Sequence, residues 1–252
     1  MVTDYRATIP PPPADGSPRT FKHSGDLGDI IFSLPTIRAL GGGILYLDPQ
    51  GGKNDAIIAT TYDKQMKLDA AGIDSLKPLL MLQSYIKDVR YWAGETVDVN
   101  LDQFRLNQRW YNLPDMVLDT FGQSLSHRDT AWLSVPDPIS VPDYPFVINR
   151  SVRYHGNWAF WKYNLNDFAS QSLFVGFPKE HEIFEYTFGV RVKYQPTPTI
   201  RDLARYIAGC RQFIGNASLP HALAEAMKKP LIAEMFRVIC TICCERPGAQ
   251  YV

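Results

Sequence analysis

The sequence predicts an α/β protein built as two doubly wound halves of similar size. Three features carry this expectation: a strand, glycine loop, helix and strand in succession over residues 19–48, a second α/β succession from residue 146, and a proline-rich stretch between them. A strand feeding a helix and then a parallel strand is the unit of a doubly wound sheet, whose ligands bind at the carboxyl ends of the strands. With 252 residues and 45% hydrophobic content, the chain can bury a core in each half.

Residues 1–20 hold Pro10, Pro11, Pro12, Pro13 and Pro18, which favour an extended arm that is either disordered or wrapped on the first domain. Residues 19–23 read as a short strand. Residues 24–35 form the stretch around which the chain is organised: Gly25 and Gly28 allow a tight turn, and Ile30, Ile31, Leu34, Ile37 and Leu40 then recur at helical spacing. Gly28 and Asp29 are expected on the loop that opens this helix. Oriented N–H groups there favour an anion, and an exposed Asp29 carboxylate could do chemistry; the plainer alternative is that Asp29 caps the helix. Gly41, Gly42 and Gly43 stop the helix, and residues 44–48 read as a buried parallel strand.

Further along, residues 76–89 carry a helical pattern with Leu79, Leu80, Leu82, Tyr85, Ile86 and Val89 as its buried face. Residues 97–102 alternate at period two and predict a strand. Phe104, Arg105, Arg109, Trp110, Tyr111 and Phe121 make a segment of rings and arginines; such mixtures can stack on bases or sugars, but more commonly supply core rings with solvated charges. Four prolines in residues 136–145 mark a hinge between an N-terminal domain, 1–135, and a C-terminal domain, 146–252. Beyond it the pattern predicts a strand at 146–149, a helix at 165–173 leading to a strand at 174–176, a helix at 180–188 leading to a strand at 190–192, a helix at 200–210, a strand at 212–215, a helix at 219–228 and a strand at 231–234.

Lys plus Arg and Asp plus Glu both number 26, so net charge draws the chain to neither nucleic acid nor a membrane surface. There is no apolar run of membrane-crossing length and no apolar signal-peptide core, and the expected location is cytoplasmic. Cys210, Cys240, Cys243 and Cys244 lack a second pair at zinc spacing, so reduced, mostly buried thiols and no metal are expected.

The second sharp motif spans residues 213–226. Asn216 and Ser218 can cap the helix that follows, its free N–H groups can bind an anion, and His221 lies in its first turn. Together the two motifs resemble the heptosyltransferase-like family of glycosyltransferases. That family's Gly-Asp before an apolar helix and its Leu-Pro are matched by Gly28, Asp29, Leu34 and Pro35. Its Gly-Asn-Asp-Ser-Gly-Pro-x-His-Leu-Ala stretch before Lys-Pro is matched by residues 215–224 with Lys229 and Pro230. The sequence departs from the pattern at Ala217, where the family has Asp, at Leu219, where it has Gly, and by one residue missing before His221.

The resemblance implies a GT-B architecture, two Rossmann-like domains facing across a cleft, with a nucleotide sugar as donor substrate and no cofactor. It implies an inverting, metal-independent transfer to a hydroxyl acceptor, by default a saccharide or lipid-linked glycan; the short chain, the missing acidic donor residue and the segment of rings and arginines leave room for a hydroxymethylated base in DNA as a second acceptor. Asp29 would be the general base, with Asp26 a neighbouring carboxylate. Gly25, Gly28, Arg150, Ser151, Arg153, Lys162, Glu180, Asn216, Ser218 and His221 would serve the donor, with His155 a further candidate and Glu182 an alternative to Glu180. Two other readings stand beside it: a nucleotide-sugar-binding protein that has lost transfer, and a nucleotide-sugar epimerase of the same architecture.

Overall fold

The structure, a computed structural model, describes residues 5–50, 68–107, 112–236 and 241–252. The chain divides into two compact units, Met1–Ser134 and Val135–Val252. Each is built on its own parallel sheet.

In the first unit, strand β1 (Arg19–His23) leads through a three-residue loop into helix α1 (Leu27–Ala39), followed by β2 (Gly43–Leu47). Helix α2 (Ala70–Leu80), β3 (Ile86–Tyr91), the short β4 (Val99–Asn100), a 3-10 helix (Leu101–Leu106) and helix α3 (Leu113–Thr120) complete its main elements. The strand order is β3-β2-β1-β4, all parallel. Since β2 and β4 flank β1, the chain reverses direction of winding beside the carboxyl end of β1, the place where doubly wound sheets open a ligand crevice.

Helix α1 buries one continuous run, Ile30 to Ile37, which covers all its faces, so the helix is enclosed on every side along this stretch. Pro35 sits inside it and has no N–H to offer the Ile31 carbonyl one turn earlier. The fully buried Trp132 supplies the missing donor, its Nε1 lying 3.0 Å from the Ile31 oxygen. Trp132→Phe removes that donor and should cost about 1–3 kcal/mol, readable in urea unfolding; an unchanged midpoint would sink this account. The proline arm lies on the first unit: Ala7 N donates to the Thr120 carbonyl at 2.8 Å, and Arg19 Nη2 donates to the Pro10 carbonyl at 2.8 Å.

Two expectations in this unit change. The helical pattern at 76–89 belongs to two elements, because α2 stops at Leu80 and Ile86 and Val89 lie on β3. The pairing Gly43 with Ile86 and then Ile44 with Asp88 leaves Lys87 as a bulge. One extra residue turns a strand's spacing of two into three, which mimics a helix. The strand expected at 97–102 pairs only at Val99 and Asn100. Asp98 takes the Thr20 N–H and hydroxyl with its carboxylate, at 2.7 and 2.8 Å, and Asn100 caps the 3-10 helix through Asp102 N. Of the segment of rings and arginines, Phe104 and Phe121 are core and Arg105 is buried, not solvated; Arg109, Trp110 and Tyr111 lie outside the described residues.

The second unit runs β5 (Phe146–Asn149), α4 (Trp158–Phe168), β6 (Ser172–Phe174), α5 (Pro178–Phe188), β7 (Lys193–Tyr194), α6 (Ile200–Gly209), β8 (Gln212–Asn216), α7 (Leu219–Ala226), β9 (Leu231–Glu234) and β10 (Ala249–Tyr251). Its order, β10-β9-β8-β5-β6-β7, is the Rossmann order 3-2-1-4-5-6 counted from its own first strand. Its core gathers Trp161, Leu165, Phe168, Phe174 and Phe184 on α4, β6 and α5.

Three boundaries shift from expectation. Helix α4 starts at Trp158 behind an Asn157 cap, earlier than Leu165, and ends before 173, so β6 begins at Ser172. The strand expected at 190–192 moves to β7, because side chains of α5 occupy the Val192 backbone: Glu185 accepts its N–H at 2.9 Å and His181 Nε2 donates to its carbonyl at 2.7 Å. Strand β10 follows the last expected element and was carried by no period-two pattern. The proline-rich segment is bound to this unit, with Ile139 N donating to Arg205 O at 3.0 Å and the Asp137 carboxylate bridging Arg201 and Arg205. Cys210 and Cys244 are buried and Cys243 is half-buried; Cys240 lies outside the described residues. Burial pushes the Cys210 thiol up to about 11, where it is unreactive.

Candidate functional site

Polar side chains converge at the carboxyl end of β1. Parallel pairing of β1 with β4 brings the start of α1 and the 3-10 helix to the same edge of the sheet. Asp102, fully buried in the 3-10 helix, sits at the centre. Its carboxylate accepts Ser24 N at 3.1 Å and Arg105 Nη1 at 2.9 Å, pairs with Lys22 Nζ at 3.1 Å, and takes the Ser24 hydroxyl. Burial opposes its ionisation, but the charges around it, Arg105 and Lys22 among them, and the Ser24 hydroxyl more than offset this and hold it below the usual carboxylate range.

Arg105 divides its guanidinium between two acids. Nη1 holds Asp102, and Nη2 donates to Asp29 Oδ2 at 2.9 Å. The Asp29 side chain is 24% exposed and that of Arg105 only 2%. Asp29 thus presents a carboxylate to solvent from the first turn of α1, backed by a buried cation. Asp26 holds the N-cap position of α1, without a side-chain capping bond, so capping is not what Asp29 does.

The glycine loop departs from the anion cradle expected of it. Ser24 N is spent on Asp102, and Gly25 N donates to His23 Nδ1 at 2.8 Å. Since Nδ1 accepts, Nε2 carries the His23 proton; it donates to Ser33 Oγ at 3.0 Å, and the Ser33 hydroxyl donates to the Asp29 carbonyl at 2.8 Å. His23 is therefore neutral, and burial lowers it to about 4. Gly25 is needed for space rather than for its N–H: a Cβ there would lie 2.5 Å from Arg105 Nη2, 2.6 Å from His23 Cε1 and 2.9 Å from Asp29 Oδ2. Gly28 lies in the first turn of α1, half-buried, and not on the loop before it.

In the second unit the structure locks the carboxyl ends of β5 and β8 together. Asn216 is fully buried. Its Oδ1 accepts Ser151 N at 2.9 Å, and its Nδ2 donates to the Ser151 and Arg153 carbonyls at 3.2 and 2.6 Å. Asn216 accordingly shapes the loop after β5, and it has no surface for a donor to touch. Ser218 caps α7, accepting His221 N at 3.5 Å, and its hydroxyl lies 3.1 Å from Asn149 Oδ1. His221 itself is fully buried, and burial lowers it to about 3, so its neutral ring is part of the core and cannot meet a ligand.

Asn149, which sequence reasoning missed, ties three elements. Besides meeting Ser218, its Nδ2 donates to Val175 O at 2.9 Å and lies 3.4 Å from Glu180 Oε2. Glu180 Oε2 also accepts Phe177 N at 3.0 Å in the first turn of α5, and burial raises its carboxyl above the ordinary value. Glu182 pairs with Lys179 at 3.0 Å on the exposed face of α5, which leaves Glu180 as the acid at this edge. Asn149 ends the strand next to the crossover of the sheet, a position that could have marked it in advance.

Arg150 is buried for most of its surface, and its guanidinium is engaged in a two-armed pair with Glu234 at 2.7 and 3.0 Å. Glu234, also missed, accepts Gly156 N, Asn157 N and Trp161 Nε1 at 2.8–3.0 Å as well. Burial opposes its ionisation, but Arg150 and these donors hold the carboxyl below its ordinary value. The signal for it was an acid ending an apolar strand. Gly156 must lack a side chain, since a Cβ would fall 1.6 Å from the Met235 carbonyl. Beside this loop a cavity of about 330 Å³ is lined by Arg150, His155, Gly156, Trp158, Ile183, Thr187 and Glu234.

Ser151 is half-buried and Arg153 exposed on the same loop, and His155 Nε2 lies 2.6 Å from Ser151 O. Lys162 is exposed on α4 with its ammonium 5.1 Å from the ring centre of Trp158, one of the residues lining that cavity. Among the described residues no group of three His, Cys, Asp or Glu side chains could hold a metal ion, and no helix is long and apolar enough to cross a membrane.

No protein-family model matches the chain. No curated protein matches it by sequence. Solved structures do match. A glycosyl transferase family 9 protein from Veillonella parvula is 12% identical, with a TM-score of 0.63 over 93% of this chain and 86% of that one. TibC, an iron-containing dodecameric glycosyltransferase from enterotoxigenic E. coli, is 12% identical, with a TM-score of 0.56 over 92% of this chain and 62% of TibC. ADP-heptose lps heptosyltransferase II of E. coli is 12% identical, with a TM-score of 0.53 over 93% of this chain and 90% of the enzyme. The resemblance first carried by two short motifs thus extends to the fold: the chain has the parallel-sheet α/β fold of glycosyltransferases of this kind.

Proposed function

We propose that the protein is an inverting glycosyltransferase of GT-B type that moves a sugar from a nucleoside diphosphate to a hydroxyl group. The observation that carries this reading is the Asp29 carboxylate, set at the sheet edge where doubly wound folds bind ligands and backed by buried Arg105. The first unit would supply the base and the second the donor site, where Glu180 faces the carboxyl ends of the strands as an acceptor for ribose hydroxyls. Ser218 and the N-terminus of α7, with the Ser151 and Arg153 loop, would meet the diphosphate. Asn216 and His221 support these elements from within the second unit, and in the first unit Gly25 leaves room for Asp29 and Arg105.

In the step itself the acceptor oxygen attacks the anomeric carbon while the bond from that carbon to the diphosphate oxygen breaks. The bonding pair leaves with the diphosphate, and the acceptor proton passes to Asp29. The step draws on no metal, so turnover should be unchanged by EDTA. A saccharide hydroxyl is the acceptor class in this reading; salt-sensitive DNA binding would instead move it to a nucleic-acid base. Incubation with ADP-, UDP-, GDP- and dTDP-sugars, with water as the fallback acceptor, should release the nucleoside diphosphate from at least one donor. No release from any donor overturns the reading, and an altered but unreleased sugar nucleotide would point to an epimerase.

A further inference from the structure

We infer that Arg105 is the positioning residue of the reaction, the group through which the buried part of the first unit sets the Asp29 carboxylate. The inference rests on the reading of Asp29 as the base. Arg105 is almost wholly buried and cannot itself reach a substrate, yet it is the link between an exposed acid and an enclosed one.

The number of attachments gives the direction of control. Asp102 is held from several sides: Ser24 N, the Ser24 hydroxyl and Lys22 hold it from β1 and the loop, and Asn100 holds its own N–H. Arg105 is one helical step away, with Nη1 at 2.9 Å from Asp102 Oδ1, and its guanidinium carbon lies 4.4 Å from the centre of the Phe104 ring. A planar fork held on one arm and across one face has little freedom left on its other arm. That arm, Nη2, is the one on Asp29.

Charge supports the same assignment. Among the described residues Lys22 and Arg105 are paired with Asp102 and Asp29, and an ionised Asp29 completes the balance of these four charges. The attacking hydroxyl becomes strongly acidic once its bond to the anomeric carbon has formed, so what the step requires is an ionised, well-aimed acceptor rather than a strong base. Gly25 makes the arrangement possible by leaving the space that Arg105 Nη2 and Asp29 Oδ2 fill. Lysine at 105 would keep the charge but could not hold both acids in this geometry.

The test is a double-mutant cycle on the full chain, with release of nucleoside diphosphate from the ADP-, UDP-, GDP- and dTDP-sugar panel as the rate and calorimetric donor affinity as the control. Arg105→Ala should lower the rate about 10²-fold with donor affinity unchanged, and added guanidinium ion should restore part of it. Arg105→Lys should stay slow; it also serves as the partner in the cycle if the alanine variant does not fold. In an Asp29→Asn background either Arg105 variant should cost no further rate, because Arg105 acts through Asp29. Penalties that multiply across the two positions, or a folded Arg105 variant with full activity, overturn the proposal alone. Full activity in Asp29→Asn, or no turnover of any donor, overturns the reading beneath it as well.

Discussion

Asp29→Asn should slow sugar transfer by about 10²–10⁴-fold while donor affinity stays within about twofold. Asparagine retains an oxygen for Arg105 Nη2 at nearly the same place, so the side-chain network and the fold survive the change. What is lost is the capacity to take a proton from the attacking hydroxyl. The donor, in our reading, is held by the second unit, and a change in the first turn of α1 should therefore act on the rate and leave binding alone. Single-turnover kinetics with calorimetry separate the two quantities. A rate within about threefold of the native protein would remove Asp29 from the mechanism, since a general base contributes far more than that.

Stability should fall steeply as the solution is acidified below about pH 6.5. His23 and His221 are both buried and neutral, lowered to about 4 and about 3 from an ordinary value near 6.5. Below the unfolded value, the unfolded chain binds a proton that the folded chain refuses. Each histidine therefore withdraws about 1.4 kcal/mol per pH unit from stability, down to its own folded value. The losses come to about 3 kcal/mol for His23 and about 5 kcal/mol for His221. Asp102 and Glu234, whose values are lowered in the fold, act in the same direction only below the ordinary carboxylate range, so between pH 6.5 and 4.5 these two histidines are the main source. Urea unfolding at pH 7, 6 and 5 measures the slope, and His23→Gln should reduce it. A stability that is flat over that interval would show that the rings are not held neutral.

Much of the fold was legible because strong local patterns and burial coincide. The apolar run of α1 and the strand at 231–234 needed no partner to be recognised. Where the pattern misled, a neighbouring strand or side chain had intervened: the bulge at Lys87 imitated a helix, Asp98 replaced a ladder with its carboxylate, and Glu185 with His181 displaced β7. Of the candidate site residues, Asp29 was marked by its place after a glycine turn at a helix start, and Glu180 only by the family resemblance, which left Glu182 as an alternative. His221 and Asn216 had the same kind of signal, yet lie fully buried. A motif marks which turn is special, and it does not say which side of that turn faces solvent.

By itself the sequence determined that two α/β halves would form, where the two sharp turns would fall, and that an acid would stand at the head of the first helix. Only the tertiary structure decided how those turns are used. Ser24 and Gly25 direct their N–H groups inward to Asp102 and His23, Arg150 is consumed by Glu234, and Arg105, from a segment that read as rings and solvated charge, stands behind Asp29. The physical reason is distance along the chain. Asp29 and Arg105 are 76 residues apart, as Arg150 and Glu234 are 84 apart. Such pairs meet only when parallel strands bring remote carboxyl ends to one edge, and no local spacing encodes them.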